Sequence, residues 1–253
     1  MKLIRDTWLL FVRDVMVTLR NPVWLIIGLF QPICFLLLFA PLLDGIAQAP
    51  GFPSGGALNV FAPGLLVLMG MYGASFAGFG LLADLRAGVV ERLRVTPVSR
   101  LALLLGRALR DVMVLLVQAT LLVLAAWPMG LRIDIGGVAL ALGLVALVGL
   151  LLAPCSYALA LILKSEDALA PTVNFFLLPI QLFSGVMLPL TLTPLWIRQV
   201  AAFNPLSYAV DATRSLFNGA LGDPVVLRGF AVLTLLAMLA LWWAARQFRQ
   251  ATA

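Results

Sequence analysis

The sequence predicts an all-α polytopic membrane protein with six transmembrane helices. Of its 253 residues, 63% are hydrophobic and only 11% are charged, and the mean hydropathy is +1.09. A soluble domain is nearer half apolar and a quarter charged. A water-soluble core does not cover so much apolar surface, so a bilayer is the expected solvent. The apolar residues also fall into six runs, each long enough at about 1.5 Å per residue to cross about 30 Å of hydrocarbon.

These six apolar runs define the predicted spans. The first opens after Asn21-Pro22, a pair typical of a helix start. The second is rich in glycine, and the third carries Arg107, Arg110 and Asp111 in its early turns. In chain order the predicted spans are Val23–Leu43, Leu58–Leu82, Leu101–Trp127, Gly137–Leu163, Ala168–Leu190 and Val225–Ala245.

Loop charge predicts that both termini lie in the cytoplasm. Six spans place the two termini on one side of the membrane. Thirteen of the seventeen cations fall on that side, and the other side holds only Arg132, Arg198, Arg214 and Arg228. Cytoplasmic loops carry the excess of Lys and Arg. The net charge of +6 is therefore attributed to topology, and no nucleic-acid partner is expected.

Residues 1–20 are predicted to form an amphipathic helix at the cytoplasmic interface. On a helical wheel their four cations fall within an arc of about 80°. The apolar side chains on the opposite side are Ile4, Trp8, Phe11, Val15 and Leu19. The basic face is expected to lie toward lipid headgroups. The same cations satisfy the positive-inside rule, and the two interpretations are compatible.

A charged segment, residues 84–100, separates the second and third spans. It reads DLRAGVVERLRVTPVSR and predicts a short helix that ends at Thr96-Pro97, because the residue before a proline avoids helical geometry. The pattern alone favours an ordinary solvated loop. Its alternating charges also suit docking against a soluble partner, which is the alternative.

The connection between the fifth and sixth spans, residues 191–224, is too long for a tight turn and too apolar for a free loop. It predicts two short helices broken at Asn204-Pro205, with Gly219 and Gly222 as stops. Asp211 and Arg214 are three residues apart, a spacing that allows them to pair on one helix face. We expect these helices to dip into the outer leaflet or to cap it. A plain amphipathic surface segment is the alternative.

The sequence lacks the residues of several catalytic classes. Histidine is absent, which excludes His-ligated metals and the Ser-His-Asp triad. Cys34 and Cys155 are far apart and form no metal-binding or redox pair. A P-loop requires a Gly-Lys pair, and neither lysine follows a glycine. No cofactor is therefore expected in this chain, and an uphill transporter of this sequence would take its energy from a partner.

Polar side chains inside two spans are candidates for a substrate pathway. Asn174 and Gln181 are seven residues apart on the fifth span and share one face, with Ser184 close by. The second span carries Tyr72 and Ser75 among small residues that permit close helix approach. Packing and hydrogen bonding between helices are the alternative explanation of these residues.

Three segments together resemble the membrane subunit of bacterial ABC exporters, nearest to the daunorubicin-resistance and nodulation-factor type. They are RNPVWLIIGLFQPICFLLLF (20–39), ADLRAGVVERLRVTPVSRLALLLGRALRD (83–111) and SGVMLPLTLTPLWIRQVAAFNPLSYAVDATRSLFNG (184–219). The resemblance covers nearly the whole chain, with a matching number and order of spans. It implies a single six-helix permease domain, of which two copies, expected as a homodimer, form the pathway.

The resemblance also implies partners and roles for particular residues. Two copies of a separate ATPase subunit, carrying ATP and Mg²⁺, would bind the cytoplasmic face. The implied ATPase-coupling residues are Val89, Val90, Glu91, Arg92 and Arg94. The second and fifth spans would line the route, and the short helices would close its outer side. The gate residues there would be Asn204, Pro205, Tyr208, Asp211 and Arg214.

The resulting functional prediction is the transmembrane subunit of an ATP-driven exporter in a bacterial cytoplasmic membrane. Its cargo would be an amphipathic drug, lipid or glycolipid, and its neighbours would be membrane lipids. The alternative is an ion-coupled secondary drug transporter, which requires an acidic residue inside the membrane. Only Asp111 comes near that position. A membrane enzyme or scaffold has less support, because no catalytic set converges in the sequence.

Overall fold

The computed structural model of the chain describes residues 2–20, 23–46, 56–88, 99–131, 134–187 and 190–251. Within these residues all regular structure is helical. Short 3₁₀ turns occur at Trp127–Met129 and Leu190–Leu192. The α-helices are α1 (Lys2–Arg20), α2 (Val23–Ile46), α3 (Ala57–Ser75), α4 (Ala77–Arg86), α5 (Arg100–Ala126), α6 (Ile135–Leu163), α7 (Glu166–Leu182), α8 (Leu195–Ala201), α9 (Pro205–Phe217) and α10 (Pro224–Ala251).

Four helical segments in the described residues are long and apolar enough to cross a membrane. They agree with the second, third, fourth and sixth predicted spans, and they are Leu58–Arg86, Leu101–Met129, Ile135–Leu163 and Pro224–Gln250. The first predicted span lies in α2, which contains a shorter apolar stretch, Ile26–Phe39. The all-helical class is thus confirmed, whereas the count of six spans stays a prediction.

Helix α7, which corresponds to the fifth predicted span, is shorter than the sequence predicted. The predicted span ran to Leu190, but α7 ends at Leu182 after 17 residues. The N–H of Phe183 bonds to Pro179 O at 3.1 Å, and Gly185 follows with a φ of 74°. A positive φ near a helix C-terminus is typical of glycine and stops the helix. The prediction missed this end because it followed hydropathy, which continues through the turn.

Helix α6 lies at the centre of the fold, where it packs against α3, α4, α5, α9 and α10. Its sequence is apolar on all sides, as expected of a helix surrounded by other helices or lipid. Small residues bring the neighbouring backbones close. A Cβ on Gly137 would lie 2.3 Å from Leu216 O of α9, so only glycine permits that approach.

A break between α3 and α4 at Phe76 is bridged by α6. Backbone groups freed inside a membrane need partners, since lipid offers none. The hydroxyl of Ser156 on α6 accepts from Gly78 N at 2.9 Å and donates to Ser75 O at 2.5 Å. One side chain therefore satisfies a donor and an acceptor on both sides of the break.

The N-terminal helix α1 packs on α5 through a third face, which is neither the basic face nor the apolar face that the sequence predicted. Thr7 and Leu10 are buried where α1 crosses Gly106, and a Cβ on that glycine would lie 2.9 Å from Leu10 Cβ. The apolar side chains of Ile4 and Trp8 remain exposed, as do the cations of the opposite face. The helix is present as predicted, and its apolar face is free to contact lipid.

Candidate functional site

The first candidate region is an inner charge cluster of five residues: Asp84 on α4, Arg107, Arg110 and Asp111 on α5, and Tyr157 on α6. The Arg107 guanidinium donates to the Asp84 carboxylate, and the Tyr157 hydroxyl donates to Asp111. Arg110 Nε lies 3.2 Å from Asp111 Oδ1. Two cations and two carboxylates thus meet on α4 and α5, and the Tyr157 hydroxyl connects α6 to them.

The inner charge cluster is largely buried and balanced in charge. Side-chain exposure is 11% for Arg107 and 12% for Asp111, and Tyr157 is fully buried. Ionised groups inside a span are costly and therefore pair with one another. Ion coupling would require an acid that is free to bind an ion. Asp111 is instead engaged by Arg110 and Tyr157, so its surroundings do not favour the ion-coupled alternative.

The Asp84–Arg107 pair flanks the predicted coupling segment. Asp84 lies two residues before the end of α4, and Arg107 lies two turns into α5. In the chain, residues 87–99 join these helices, so the pair links the helix that precedes the predicted coupling segment to the helix that follows it. Outside the described residues lie all the predicted coupling residues: Val89, Val90, Glu91, Arg92 and Arg94.

Sequence reasoning missed the inner charge cluster as a unit. It noted Arg107, Arg110 and Asp111 but assigned the cations to membrane topology, and it placed Asp84 in the charged segment between the second and third spans. The available signal was ionisable residues within an apolar span, which are expensive and usually paired. Their partners were not identifiable, because Asp84 and Tyr157 come from other helices.

The second candidate region centres on Arg214 of α9. Arg214 is buried, and its guanidinium donates to three backbone carbonyls. Nε lies 3.0 Å from Val60 O, and Nη2 lies 2.8 Å from Gly185 O and 3.2 Å from Val186 O. Burial lowers the pKa of Arg214 to about 10, so the group stays charged at neutral pH. The side chain joins α9 to the first turn of α3 and to the turn after α7.

Two asparagines extend this arrangement. Asn204 Nδ2, between α8 and α9, donates to Ile180 O of α7 at 2.6 Å. Asn59 Nδ2 on α3 donates to Phe217 O at the end of α9, at 3.3 Å. Asn59, Asn204 and Arg214 together form what we call the outer clamp. Each of the three side chains donates to backbone carbonyls of another segment, at helix ends or in the turn after α7.

The other predicted gate residues surround the break between α8 and α9. Asn204 caps α9 by accepting from a first-turn N–H at 3.0 Å, and Pro205 is the first helical residue. The Tyr208 hydroxyl donates back across the break to Ala202 O at 2.8 Å. Asp211 is exposed and forms no ion pair within 4.0 Å with the buried Arg214, although the two opposite charges still attract each other.

The predicted pathway residues divide into two groups. The Tyr72 hydroxyl on α3 donates to Gln181 Oε1 on α7 at 2.6 Å, and Ser184 Oγ donates to Gln181 O at 2.6 Å. These three residues meet between the second and fifth predicted spans. Ser75 lies apart, at the α3–α4 break. Asn174 is exposed, and its amide donates to a carbonyl of its own helix at 3.0 Å.

Comparison with known proteins gives the family. Residues 5–218 match the family described as ABC-2 type transporter. The chain belongs to the ABC-2 type transporter family. It is 30% identical over 219 residues to the putative transport permease ycf38 of Pyropia yezoensis, which covers 85% of this chain and 75% of the relative.

Other relatives of this ABC-2 permease carry drug-resistance names. The daunorubicin resistance ABC transporter permease protein DrrB1 of Streptomyces coeruleorubidus is 28% identical over 212 residues, or 83% of this chain and 74% of the relative. The probable doxorubicin resistance permease DrrC of Mycobacterium tuberculosis is 25% identical over 215 residues, or 82% and 74%. The ABC-2 permease is thus an integral membrane subunit of an ABC transporter.

Proposed function

We propose that this ABC-2 permease is the membrane subunit of an ATP-driven exporter. The cargo would be an amphipathic drug, lipid or glycolipid that leaves the cytoplasm or the inner leaflet. Membership of the ABC-2 family supports the proposal, as do its relatives named for drug resistance. The observation that carries it furthest is the Asp84–Arg107 pair, which provides a rigid link beside the predicted coupling segment.

In the proposed cycle, two copies of an ATPase subunit bind ATP and Mg²⁺ on the cytoplasmic side of two permease copies. Closure of the ATPase subunits displaces residues 89–98. The Asp84–Arg107 pair makes α4 and α5 move together, and the inner charge cluster carries that movement to α6. Because α6 packs against α3 and α9, the displacement reaches the route and its outer gate. Such rocking between two states is a common form of alternating access.

The proposed setting is a bacterial cytoplasmic membrane with both termini in the cytoplasm. The distribution of cations supports this orientation. The inner charge cluster then lies near the cytoplasmic side, and the outer clamp lies near the opposite side. Cargo would pass along α3 and α7, where Tyr72 and Gln181 meet and Asn174 offers a further polar group to a second copy or to cargo.

The first experiment asks whether a P-loop ATPase co-purifies with the full-length chain from its native membrane. We expect a stoichiometric ATPase that is lost in the double variant Arg92→Glu/Arg94→Glu and weakened in Glu91→Arg. Charged groups at an interface contribute about 2–5 kcal/mol when one partner is removed, which exceeds tenfold in affinity. Arg228→Glu, on the predicted opposite side, is the matched control and should retain the ATPase.

Two outcomes would count against this proposal, and a third would count against its docking site. A stably folded chain that co-purifies with no ATPase would remove the energy source. Transport that survives ATP depletion and collapses with an ionophore would support the ion-coupled alternative. Retention of both ATPase binding and transport in the charge-reversed variants would reject residues 91–94 as the docking site.

The Tyr72–Gln181 contact gives a separate prediction about the route. Tyr72→Phe and Gln181→Leu each remove one hydrogen bond, worth about 0.5–1.5 kcal/mol. We expect the apparent KM for cargo in reconstituted transport to change by about two- to tenfold, with little loss of thermal stability. Asn174→Leu should act similarly if its exposed face meets cargo. Thr120→Leu, an exposed residue bonded only to its own helix, is the control. A lower Tm with an unchanged KM would assign Tyr72 and Gln181 to packing alone.

A further inference from the structure

An apolar groove lies between the first two turns of α1 and the start of α5. Its volume is about 220 Å³, and its lining residues are Leu3, Ile4, Thr7, Trp8, Leu105 and Leu109. An apolar cavity of about 150 Å³ already accommodates a benzene-sized ligand, so the groove has room for part of a hydrocarbon chain. It is separate from the inner charge cluster, the outer clamp and the Tyr72–Gln181 contact.

Several side chains that line the groove are exposed at the protein surface, so the groove is accessible from outside the protein. Ile4 is 75% exposed, Trp8 is 61% exposed, and Leu109 is 41% exposed. The Thr7 hydroxyl, in contrast, is buried beside the groove without a hydrogen-bond partner. Trp residues favour the boundary between headgroups and hydrocarbon. At that depth, the molecules available to fill an apolar groove are membrane lipids.

The cations on the other face of the same turns of α1 determine which kind of lipid headgroup is favoured. Lys2 and Arg5 lie on the same two turns of α1 and are exposed, and Arg5 is 74% exposed at its side chain. Asp6, the acid among these residues, is buried, and its Oδ1 lies 3.8 Å from Arg5 Nε. The N-terminal end of a helix also carries a partial positive charge. A negatively charged headgroup is therefore complementary to this end of α1.

We propose that the groove binds one acyl chain of an anionic phospholipid, with its phosphate near Lys2 and Arg5. The lipid comes from the leaflet on the side of the termini, which is the inner leaflet in the orientation proposed above. Bound there, it fills the gap between α1 and α5. Because α5 also carries Arg107 and Arg110, the bound lipid stabilises the position of the helix that contributes these two residues to the inner charge cluster. This lipid is a resident ligand and is distinct from the exported cargo.

The test uses the full-length chain alone in phosphatidylcholine nanodiscs, so it needs neither an ATPase nor a known cargo. A phosphatidylglycerol probe carries a photoactivatable diazirine on its acyl chain, and mass spectrometry locates the adducts. We expect saturable labelling within residues 3–8 and 105–109. Unlabelled phosphatidylglycerol should compete about 30-fold better than phosphatidylcholine, from two cations near an anionic headgroup.

Matched variants separate the groove from general lipid contact. Leu105→Trp fills the groove and should abolish saturable labelling there. Leu121→Trp, at an exposed position of the same helix outside the groove, should leave it unchanged. Lys2→Gln/Arg5→Gln changes exposed residues only, and it should keep acyl labelling while the preference for phosphatidylglycerol disappears.

Three results would overturn the proposal. Labelling that is not saturable, or that spreads evenly along the exposed faces of α5 and α10, would show ordinary lipid contact. Equal competition by the two lipids would reject the role of Lys2 and Arg5. Loss of all labelling of residues 3–8 when the ATPase is added, with no lipid preference in the chain alone, would identify the groove as a protein contact. Failure of the exporter proposal would leave these lipid measurements unaffected.

Discussion

Arg214→Met is expected to lower the free energy of unfolding by about 3–5 kcal/mol, because three buried carbonyls lose their donor and each unsatisfied buried polar group costs about 1–3 kcal/mol. Methionine keeps much of the side-chain volume but donates no hydrogen bond. The carbonyls of Val60, Gly185 and Val186 would then lose the partner that joins α3, α7 and α9. Thermal unfolding in detergent, followed with a thiol-reactive dye on the half-buried Cys155, measures the change. In cells we expect a strong decrease in the amount of protein in the membrane.

Two variants make this prediction specific. Arg214→Lys keeps the charge but replaces a planar group of several donors by a single ammonium, so we expect an intermediate loss. Arg228→Met removes an exposed arginine near the start of α10 and should change stability little. Equal Tm values for Arg214→Met and Arg228→Met would contradict the outer clamp.

Arg107→Leu is expected to abolish coupling between ATP hydrolysis and transport and to destabilise the chain by about 1–3 kcal/mol. This expected loss of stability lies between the values for exposed ion pairs and fully buried ion pairs, because the Asp84 side chain is 38% exposed. The double variant Asp84→Leu/Arg107→Leu leaves no unpaired charge in that pair. Stability should therefore recover in the double variant, whereas transport per ATP hydrolysed should stay low, since the link between α4 and α5 is missing.

The comparison of single and double variants distinguishes a structural role from a coupling role. Recovery of both stability and transport would show that the pair needs only compatible packing. The control is the Arg86–Glu166 pair, with an N–O distance of 3.0 Å and side chains 62% and 37% exposed. Arg86→Leu/Glu166→Leu should change neither quantity by much, because exposed ion pairs contribute about 0–1 kcal/mol.

Hydropathy, together with the residues that typically begin and end helices, predicted much of the fold. Four of the six predicted spans coincide with apolar helices of sufficient length, and the break at Asn204-Pro205 separates α8 from α9 as predicted. These features depend on the local sequence, because helix formation and burial in lipid respond to composition over about 20 residues. The error in α7 has a non-local component. The turn that ends this helix is held by Arg214, which lies 28 residues beyond Val186.

The candidate site was only partly predictable for the same reason. Gln181 and Tyr72 were chosen separately as polar residues in apolar spans, and the structure brings them within hydrogen-bond distance. Asn174 shares a helical face with Gln181 by spacing, yet its side chain bonds to its own helix. Arg214 was expected to pair with Asp211, but buried carbonyls provide more contacts than one exposed carboxylate. A charged group inside apolar surroundings is satisfied by whichever partners packing supplies.

The sequence by itself determined that the chain lies in a lipid bilayer, that it is helical and where most of its spans lie. It also determined that the chain has no nucleotide-binding motif. Each of these features follows from composition or from short motifs. The tertiary structure decided which charges pair, where α7 ends and which face of α1 meets α5. Those outcomes depend on contacts between helices far apart in the chain. The physical reason is that an apolar span can be recognised from its own residues, whereas the partner of a buried polar group is fixed only when the helices pack.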